Sequence, residues 1–513
     1  MNETDVLIVG AGPTGLSLAL FLAKAGVTPR IIDKNLGPGQ ASRALGVQAR
    51  TLEFYRQLGF ADDVVAQGIQ VTGIKLRAHG RSIADVNIAE FGEGLSPYPF
   101  ILSFPQDEHE QFLVRQLEAV GIGVEWDTEL LDLRDAGDAV QTTLRKNDGI
   151  ESVCTASYVC GCDGARSIVR KDTRLGFAGG TYDNTYFVAD VEATGEATSG
   201  SNFSICFGAQ GVLIVLPVRT TGMNRLIGVL PKELNDREGV SFEDLRPYAE
   251  KEAGIVVKTV NWFSTYKAHH RVADHFRIGR SFVLGDAGHI HSPVGGQGMN
   301  TGIGDAVNLS WKLAAVVQNR APESLLDTYE PERIAFARLL VATTDKMFTL
   351  MTGTGIGPQL FRETLLPYLA PFALGFSNVR TAAFRLVSQT RISYHDSALS
   401  SGVAGGVQGG DRLPWVNGAG GSDNFAPLQS FDWQVHVYGE ASEALSDVAQ
   451  SAELPLHQFA WTDAMQNAGL ERDALYLIRP DGYVALADAA QNVETLRAHI
   501  GKFRLMPSAT VQG

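Results

Sequence analysis

Three short stretches of this 513-residue chain place glycine and aspartate where a bound anion would need them. The first is Gly10-Ala11-Gly12-Pro13-Thr14-Gly15, a G-x-G-x-x-G spacing, with Asp33 closing the next apolar run, Arg30-Ile31-Ile32. In that spacing the first glycine permits a tight turn, the second lets backbone approach a pyrophosphate, and the third lets a helix pack close to a strand. Free N–H groups at the helix start attract phosphate, and the acid can take a ribose hydroxyl. The second stretch is Cys162-Asp163-Gly164-Ala165-Arg166, which read alone is an ordinary turn dipeptide. The third, Phe282-Val283-Leu284-Gly285-Asp286, sets a carboxylate at the end of an apolar strand, where ligands bind in open α/β sheets. Pro293-Val294-Gly295-Gly296-Gln297-Gly298-Met299-Asn300 follows, and its clustered glycines make a nest of N–H groups.

These residues need elements to hold them. Asp5 to Val9 is a short apolar run of the kind a doubly wound sheet buries on both faces. Leu16, Ala19, Leu20 and Ala23 then recur at helical spacing. A glycine-rich turn that merely joins strand to helix is the plainer reading, but strand, helix, second strand and acid stand in register for a dinucleotide. That motif alone serves NAD or FAD. A second helix, running through Asp305 to Leu313, would aim its positive end at the nest. NAD bound at the first motif has no use for this second apparatus. A flavin does, because its ribityl chain needs a hydroxyl partner and its reduced ring is an anion.

Together the segments resemble the class A flavin monooxygenases, the p-hydroxybenzoate hydroxylase family of FAD-dependent aromatic hydroxylases. Gly10, Gly12 and Gly15 match the family's first fingerprint, Cys162 to Arg170 its Asp-Gly motif, and Gly285-Asp286 with Pro293 its Gly-Asp motif. Ser42-Arg43-Ala44 through Glu53, Pro105-Gln106 with Glu110, and Tyr329 to Arg333 agree as well. The resemblance implies FAD held by Gly10, Gly12, Gly15, Asp33, Arg43, Gln106, Asp163, Gly164 and Asp286, with Asp286 on the ribityl chain. Gly298, Met299 and Asn300 would offer backbone to the flavin pyrimidine edge, and Asp163 would also serve transient NAD(P)H. Pro293 would lie against the ring as the one catalytic position, with no acid or base assigned, and Phe207, Leu216, Arg225 and Pro293 would line the substrate pocket. Gly288 and Gly304 depart from the family's alanine and glutamine, and a glycine inside a helix would loosen it.

The implied fold class is α/β, a Rossmann-like FAD-binding domain with an inserted β-sheet substrate domain and a C-terminal thioredoxin-like α/β domain. The expected boundaries are 1–75, 101–180 and 268–395 for the flavin domain, 76–100 and 181–267 for the substrate sheet, and 396–513 for the C-terminal domain. Phe203, Ile205 and Phe207 alternate with Ser204 and Cys206, as a strand would. Trp433 to Tyr438 and Leu475 to Ile478 read as strands, Pro480-Asp481-Gly482 as a hairpin turn, and Val493 to Ile500 as a closing helix.

Composition narrows the class further. A net charge of -14 repels phosphate backbones, so nucleic acid is not an expected partner. No apolar stretch reaches a membrane span, and the acidic start carries no secretion signal, so the expected place is the cytoplasm. Four cysteines make neither a disulfide scaffold nor a spaced metal motif, and His289 with His291 lacks accompanying ligands; no metal is expected. The expected activity is hydroxylation of a phenolic or polycyclic aromatic ring by NAD(P)H and O2, through a flavin C4a-hydroperoxide. The rivals are a reductase or oxidase on the same fold, and a non-catalytic nucleotide-binding protein.

Overall fold

A computed structural model describes residues 3–39, 44–78, 80–208, 211–219, 221–235, 237–292, 296–352, 369, 372–418, 422–503 and 505, with main chain only for 344–352. Arg43, Pro293 and Gly295 lie outside the described residues.

Val6, Leu7 and Ile8 have no accessible surface, because strand Glu3–Val9 runs through the middle of a sheet covered on both faces. It lies parallel to Arg30–Ile32 on one side and to Glu151–Gly161 on the other, and Glu151–Gly161 in turn lies parallel to Ser281–Val283. The register sets Val9 opposite Ile32 and Gly161, and Gly161 opposite Val283. All four strands therefore end at one edge, and the three glycine–aspartate motifs emerge from that edge side by side. Helix α1 (Pro13–Lys24) is apolar all round, with Leu16, Leu18, Leu20 and Leu22 each buried. Helix α2 (Ala49–Leu58) stops at Gly59, whose φ of 90° suits only glycine at low cost. Helix α3 (Gln106–Ala119) packs on α1.

The second sheet has eight strands, in the order 289–290, 255–273, 177–195, 224–229, 211–217, 203–208, 73–78 and 81–87. Two 19-residue strands, Phe177–Gly195 and Ile255–Ala273, carry the chain out and back as an antiparallel pair. One face buries Phe187, Ala189, Val191, Cys206, Leu213 and Leu226 under α4 (Phe242–Ala253). A capping box between Ser241 and Asp244 starts α4, and Gly254 in the left-handed region ends it. Period-2 alternation sends Phe203, Ile205 and Phe207 to the other face, level with Ile214.

The chain then rejoins the first sheet at Ser281–Val283 and continues into α5 (Gly298–Val317), α6 (Tyr329–Thr352) and α7 (Ser377–Val387). Helix α1 packs against α5. The expectation of helix loosening at Gly288 and Gly304 is corrected here. Gly288 follows a single 3-10 turn and is in no helix, and a Cβ there would meet the Phe276 ring at ordinary van der Waals distance. Gly304 is helical, and a side chain there would press on the Arg333 guanidinium, so close packing accounts for it.

Beyond α7 stands a six-stranded sheet in the order 407–408, 401–404, 484–488, 475–478, 434–438 and 456–459. Gln434–Tyr438, α8 (Glu443–Ser451) and Leu456–Phe459 form a parallel βαβ unit. Leu475–Ile478 and Val484–Asp488 form an antiparallel hairpin before α9 (Val493–Phe503). In this βαβ–ββα order the third strand is antiparallel to both of its neighbours. Its core runs on into the first domain: Phe431 lies 4.9 Å from Phe21, and Trp433 lies edge-on to Trp311 at 5.5 Å.

Candidate cofactor and substrate site

The glycine loop contains glycines of two kinds. A Cβ at Gly10 would strike the Cys162 carbonyl, and one at Gly15 would strike the carbonyl of Gly10. The fold itself requires both. Gly12 has an ordinary extended backbone, φ -76° and ψ -178°, and a Cβ there would meet nothing within 4 Å. That empty space adjoins the first turn of α1, which carries no side-chain cap. Open space at an uncapped helix start is where an anion can approach. Asp33 pins the loop, accepting hydrogen bonds from Ala11 N at 2.7 Å and Asn35 N at 2.8 Å. A carboxylate has further lone pairs, so a ribose hydroxyl can still bind it.

Asp163 emerges beside this loop. Its Oδ2 accepts from the N–H groups of Ile168 at 2.6 Å and Val169 at 3.4 Å, capping the short helix Ile168–Asp172. Its Oδ1 is buried and has no partner, and burial raises the pKa of the carboxyl. An orphaned oxygen beside the loop suits a bound hydroxyl or N–H donor. Gly164 sits at φ 72° with open space where a Cβ would be.

Gly285 turns the chain at φ 57° and presents Asp286, which is solvent-exposed at the cleft edge. Thr14 of α1 fills the gap between Gly285 and Gly302 of α5; a Cβ at either glycine would run into its hydroxyl. Helices α1 and α5 are thus in direct contact. Helix α5 begins at Gly298 with no side-chain cap, so Gly298, Met299 and Asn300 carry the first-turn N–H groups of a positive helix end. The Asn300 side chain ties this helix start to its neighbours. Its Oδ1 accepts from Gln48 N at 2.9 Å and Thr51 Oγ1 at 2.8 Å, and its Nδ2 donates to the carbonyls of Gly46 and Gly296. Gln106, at the start of α3, accepts from Ala44 N at 3.0 Å and donates to Glu110. Glu110 in turn accepts from Gly39 N at 2.8 Å, so α3 holds both described ends of the segment containing Arg43.

The face of the second sheet opposite α4 packs on the first sheet's loops. Leu216 and Val218 pack on Leu45, which leads out of the Arg43 segment, with Phe203, Ile214 and Ile227 beside them. Arg225 shares this face and is fully buried, paired bidentately with Asp190 at 2.7 and 2.8 Å. Phe207 lies on the same face and clusters with Leu76 and Ala78, apart from the Leu216 group. His289 and His291 diverge, one to Asp305 Oδ2 at 2.7 Å and the other to the Ser292 carbonyl.

Motif reasoning passed over the scaffold behind these residues. Asp305 is fully buried; it accepts from Gly285 N at 2.9 Å and from Arg333 Nε at 2.6 Å. Burial alone would raise its pKa, but Arg333 and His289 outweigh that and hold the carboxyl below its ordinary range. A charged residue on the inward side of an apolar helix was the available signal. Gln389, which holds the start of α5, had no such signal.

The chain matches the family described as FAD binding domain over residues 3–344. It is 33% identical to the 6-methylpretetramide 4-monooxygenase of Streptomyces rimosus, across 99% of this chain and 95% of that protein. It is 31% identical to the pentachlorophenol 4-monooxygenase of Sphingobium chlorophenolicum, across 80% and 76%. Among solved structures, the anhydrotetracycline hydroxylase from Streptomyces rimosus has a TM-score of 0.79 at 26% identity, covering 99% of this chain and 100% of that one.

Proposed function

Since the chain belongs to the FAD binding domain family, we propose that it hydroxylates a fused-ring phenol held between the flavin and the face of the second sheet opposite α4. It is an FAD-dependent aromatic monooxygenase that draws electrons from NAD(P)H and oxygen from O2. Bound FAD supplies hydride acceptance and oxygen activation, chemistry no side chain offers. The protein binds, orients and excludes water.

In this reading the Gly12 cradle and the start of α1 take the pyrophosphate, Asp33 a ribose hydroxyl, and Asp286 the ribityl chain. Arg43 and Gln106 flank the cofactor, Asp163 and Gly164 serve both FAD and passing NAD(P)H, and backbone from Gly298 to Asn300 meets the pyrimidine edge. By its place in the Gly-Asp motif, Pro293 is assigned to the ring. Leu216 and Arg225 form the substrate wall, with Phe207 at its outer margin. Residues 1–75, 101–180 and 268–395 make the flavin domain, 76–100 and 181–267 the substrate domain, and 396–513 a thioredoxin-like domain.

The observation that carries the substrate class is the likeness, over 99% of the chain, to an enzyme named for 6-methylpretetramide, a fused-ring phenol. The apolar sheet face around Leu216 and Leu45 supports it, because a flat ring system loses water against such a surface. The test is a series of phenols of increasing ring number, each scored for stimulated NAD(P)H oxidation and for product mass. Fused-ring substrates should gain one oxygen derived from O2. Stimulation confined to single-ring phenols would overturn the substrate class, and oxidation without oxygen gain would favour a reductase or oxidase.

A further inference from the structure

Gln389 has a left-handed backbone, φ 62°, which an L-residue other than Asn or Gly adopts at a cost. It is 4% exposed, and its side chain points at the N-terminal turn of α5. The amide Nε2 donates to Gln297 Oε1 at 2.7 Å and to Thr301 Oγ1 at 2.9 Å, and reaches the Gln297 carbonyl at 3.4 Å. Gln297 is the N-cap of α5, and its own Nε2 donates to the Val387 carbonyl at 2.9 Å. An amide side chain beside a helix start can turn its oxygen onto the first unpaired N–H groups, although the Gln297 backbone is itself helical, φ -85° and ψ -26°. Here the side chain is drawn the other way, onto the segment that follows α7. The only other amide side chain in this turn, Asn300, is likewise held elsewhere, by Gln48 and Thr51. The 387–390 segment is itself braced, because the Ser388 carbonyl accepts from Arg50 N at 3.1 Å.

We propose that Gln389 is a positioning residue: it pulls the Gln297 side chain off the start of α5, leaving the N–H groups of Gly298 to Asn300 for the flavin. The proposal rests on the reading of that helix end as flavin-facing. It also gives the strained backbone a purpose. A positive φ aims the side chain under α5, and glutamine is long enough to grip both Gln297 and Thr301.

Three holoenzyme variants test it: Gln389→Gly, Thr301→Val and Met299→Pro. Glycine relieves the left-handed backbone but deletes buried hydrogen bonds to Gln297 and Thr301, so Gln389→Gly should fold with a lowered melting temperature. It should also release FAD about tenfold more readily on dilution, read by recovery of free-flavin fluorescence, and show a shifted flavin absorbance band and a more negative reduction potential. Thr301→Val should move the same readouts by a smaller amount; it also serves if the glycine variant fails to fold. A merely structural role predicts changed melting with an unchanged flavin spectrum and potential, and that result would overturn the proposal. Met299→Pro deletes one first-turn N–H while keeping the helix start, with Gly298 lacking the Cβ that would clash. If Met299→Pro binds FAD like wild type, the flavin-facing reading falls and the proposal with it. If Met299→Pro weakens FAD but the other two variants do not, the clamp alone is wrong.

Discussion

A methyl group added at Gly15 would run into the Gly10 carbonyl, whereas one added at Gly12 would meet nothing within 4 Å. The two glycines of one motif therefore answer to different constraints, and the difference is measurable. Gly15→Ala should lower stability with or without cofactor, by about 1–3 kcal/mol for an overpacked site. Gly12→Ala should leave the flavin-free melting temperature within about 2 °C, as an unstrained substitution facing open space would. It should still lose FAD affinity, because its Cβ occupies the pyrophosphate cradle. Calorimetry of the flavin-free protein and a flavin titration separate the two effects. Asp286 makes a related case. It is exposed, so Asp286→Ala should not disturb the fold. A carboxylate bond to a hydroxyl is worth about 1.5–3 kcal/mol, so FAD affinity should fall roughly tenfold to a hundredfold. Wild-type affinity in that variant would remove the ribityl chain from Asp286.

Helices α2 and α3 meet through a buried histidine. His109 Nε2 lies 2.7 Å from Tyr55 Oη, and burial pushes the imidazole pKa down to about 3. Below about pH 6.5 the unfolded chain takes up a proton that the folded chain refuses, so stability must fall as pH drops from 6.5 toward 3. His499, pushed down to about 4 by burial, acts in the same direction. His109→Gln keeps a hydrogen-bonding partner for Tyr55 but cannot titrate. Its stability should fall less between pH 6.5 and 5 than the wild type's, by up to about 2 kcal/mol. Urea unfolding at the two pH values reads this directly, and identical slopes would show that His109 is protonated in the folded state. At this scale much of the molecule is legible from residue patterns. Strands Arg30–Ile32 and Leu475–Ile478 begin and end where apolar runs meet turn residues, and α1 follows its leucine spacing. The loosened helix expected at Gly288 and Gly304 failed because it weighed intrinsic propensity alone. Whether a glycine costs or saves free energy depends on what packs beside it, here Arg333 at Gly304.

The C-terminal domain is docked on the flavin domain through buried charge. Arg479 donates two hydrogen bonds to Glu332, at 2.8 and 2.9 Å, and two more to Asp481, which also accepts from Trp311 Nε1. Lys312 joins Glu332 at 2.8 Å, and burial lowers its pKa to about 8. Around this centre Arg412 pairs with Glu53, Arg56 with Asp423, and Arg50 donates to the Asp481 carbonyl. Helix α2 thus touches the C-terminal domain along one side and, through Thr51, touches Asn300 at the flavin end of α5. Arg479→Ala would leave Glu332 and Asp481 buried and short of a cation, a defect worth about 3–5 kcal/mol. Its unfolding midpoint should drop accordingly, and FAD should be released more readily because α2 and α6 lose their brace. An Arg479→Ala protein with wild-type stability and flavin retention would show that the domain rides on the surface without supporting the site.

Local pattern determined the nucleotide fold and the three motifs, and the family resemblance those motifs carry implied the cofactor and the reaction class. Each of those depends on neighbours close in the chain: a glycine where a turn is tight, an acid where a strand ends, a leucine on every helical turn. Only the tertiary structure decided which of those residues pack on the protein and which face open space. Asn300 lies in a cofactor motif but turns its side chain to α2, Phe207 shares a face with Leu216 but packs in another cluster, and Gly12 alone of its motif opens onto space. Asp305, Arg333 and Gln389 hold the site from behind, across 20 to 92 positions of chain. The physical reason is that a backbone turn or a helix stripe is fixed by local sterics, whereas a buried hydrogen bond is fixed by whatever distant group arrives beside it. No periodicity in a single sequence records that arrival.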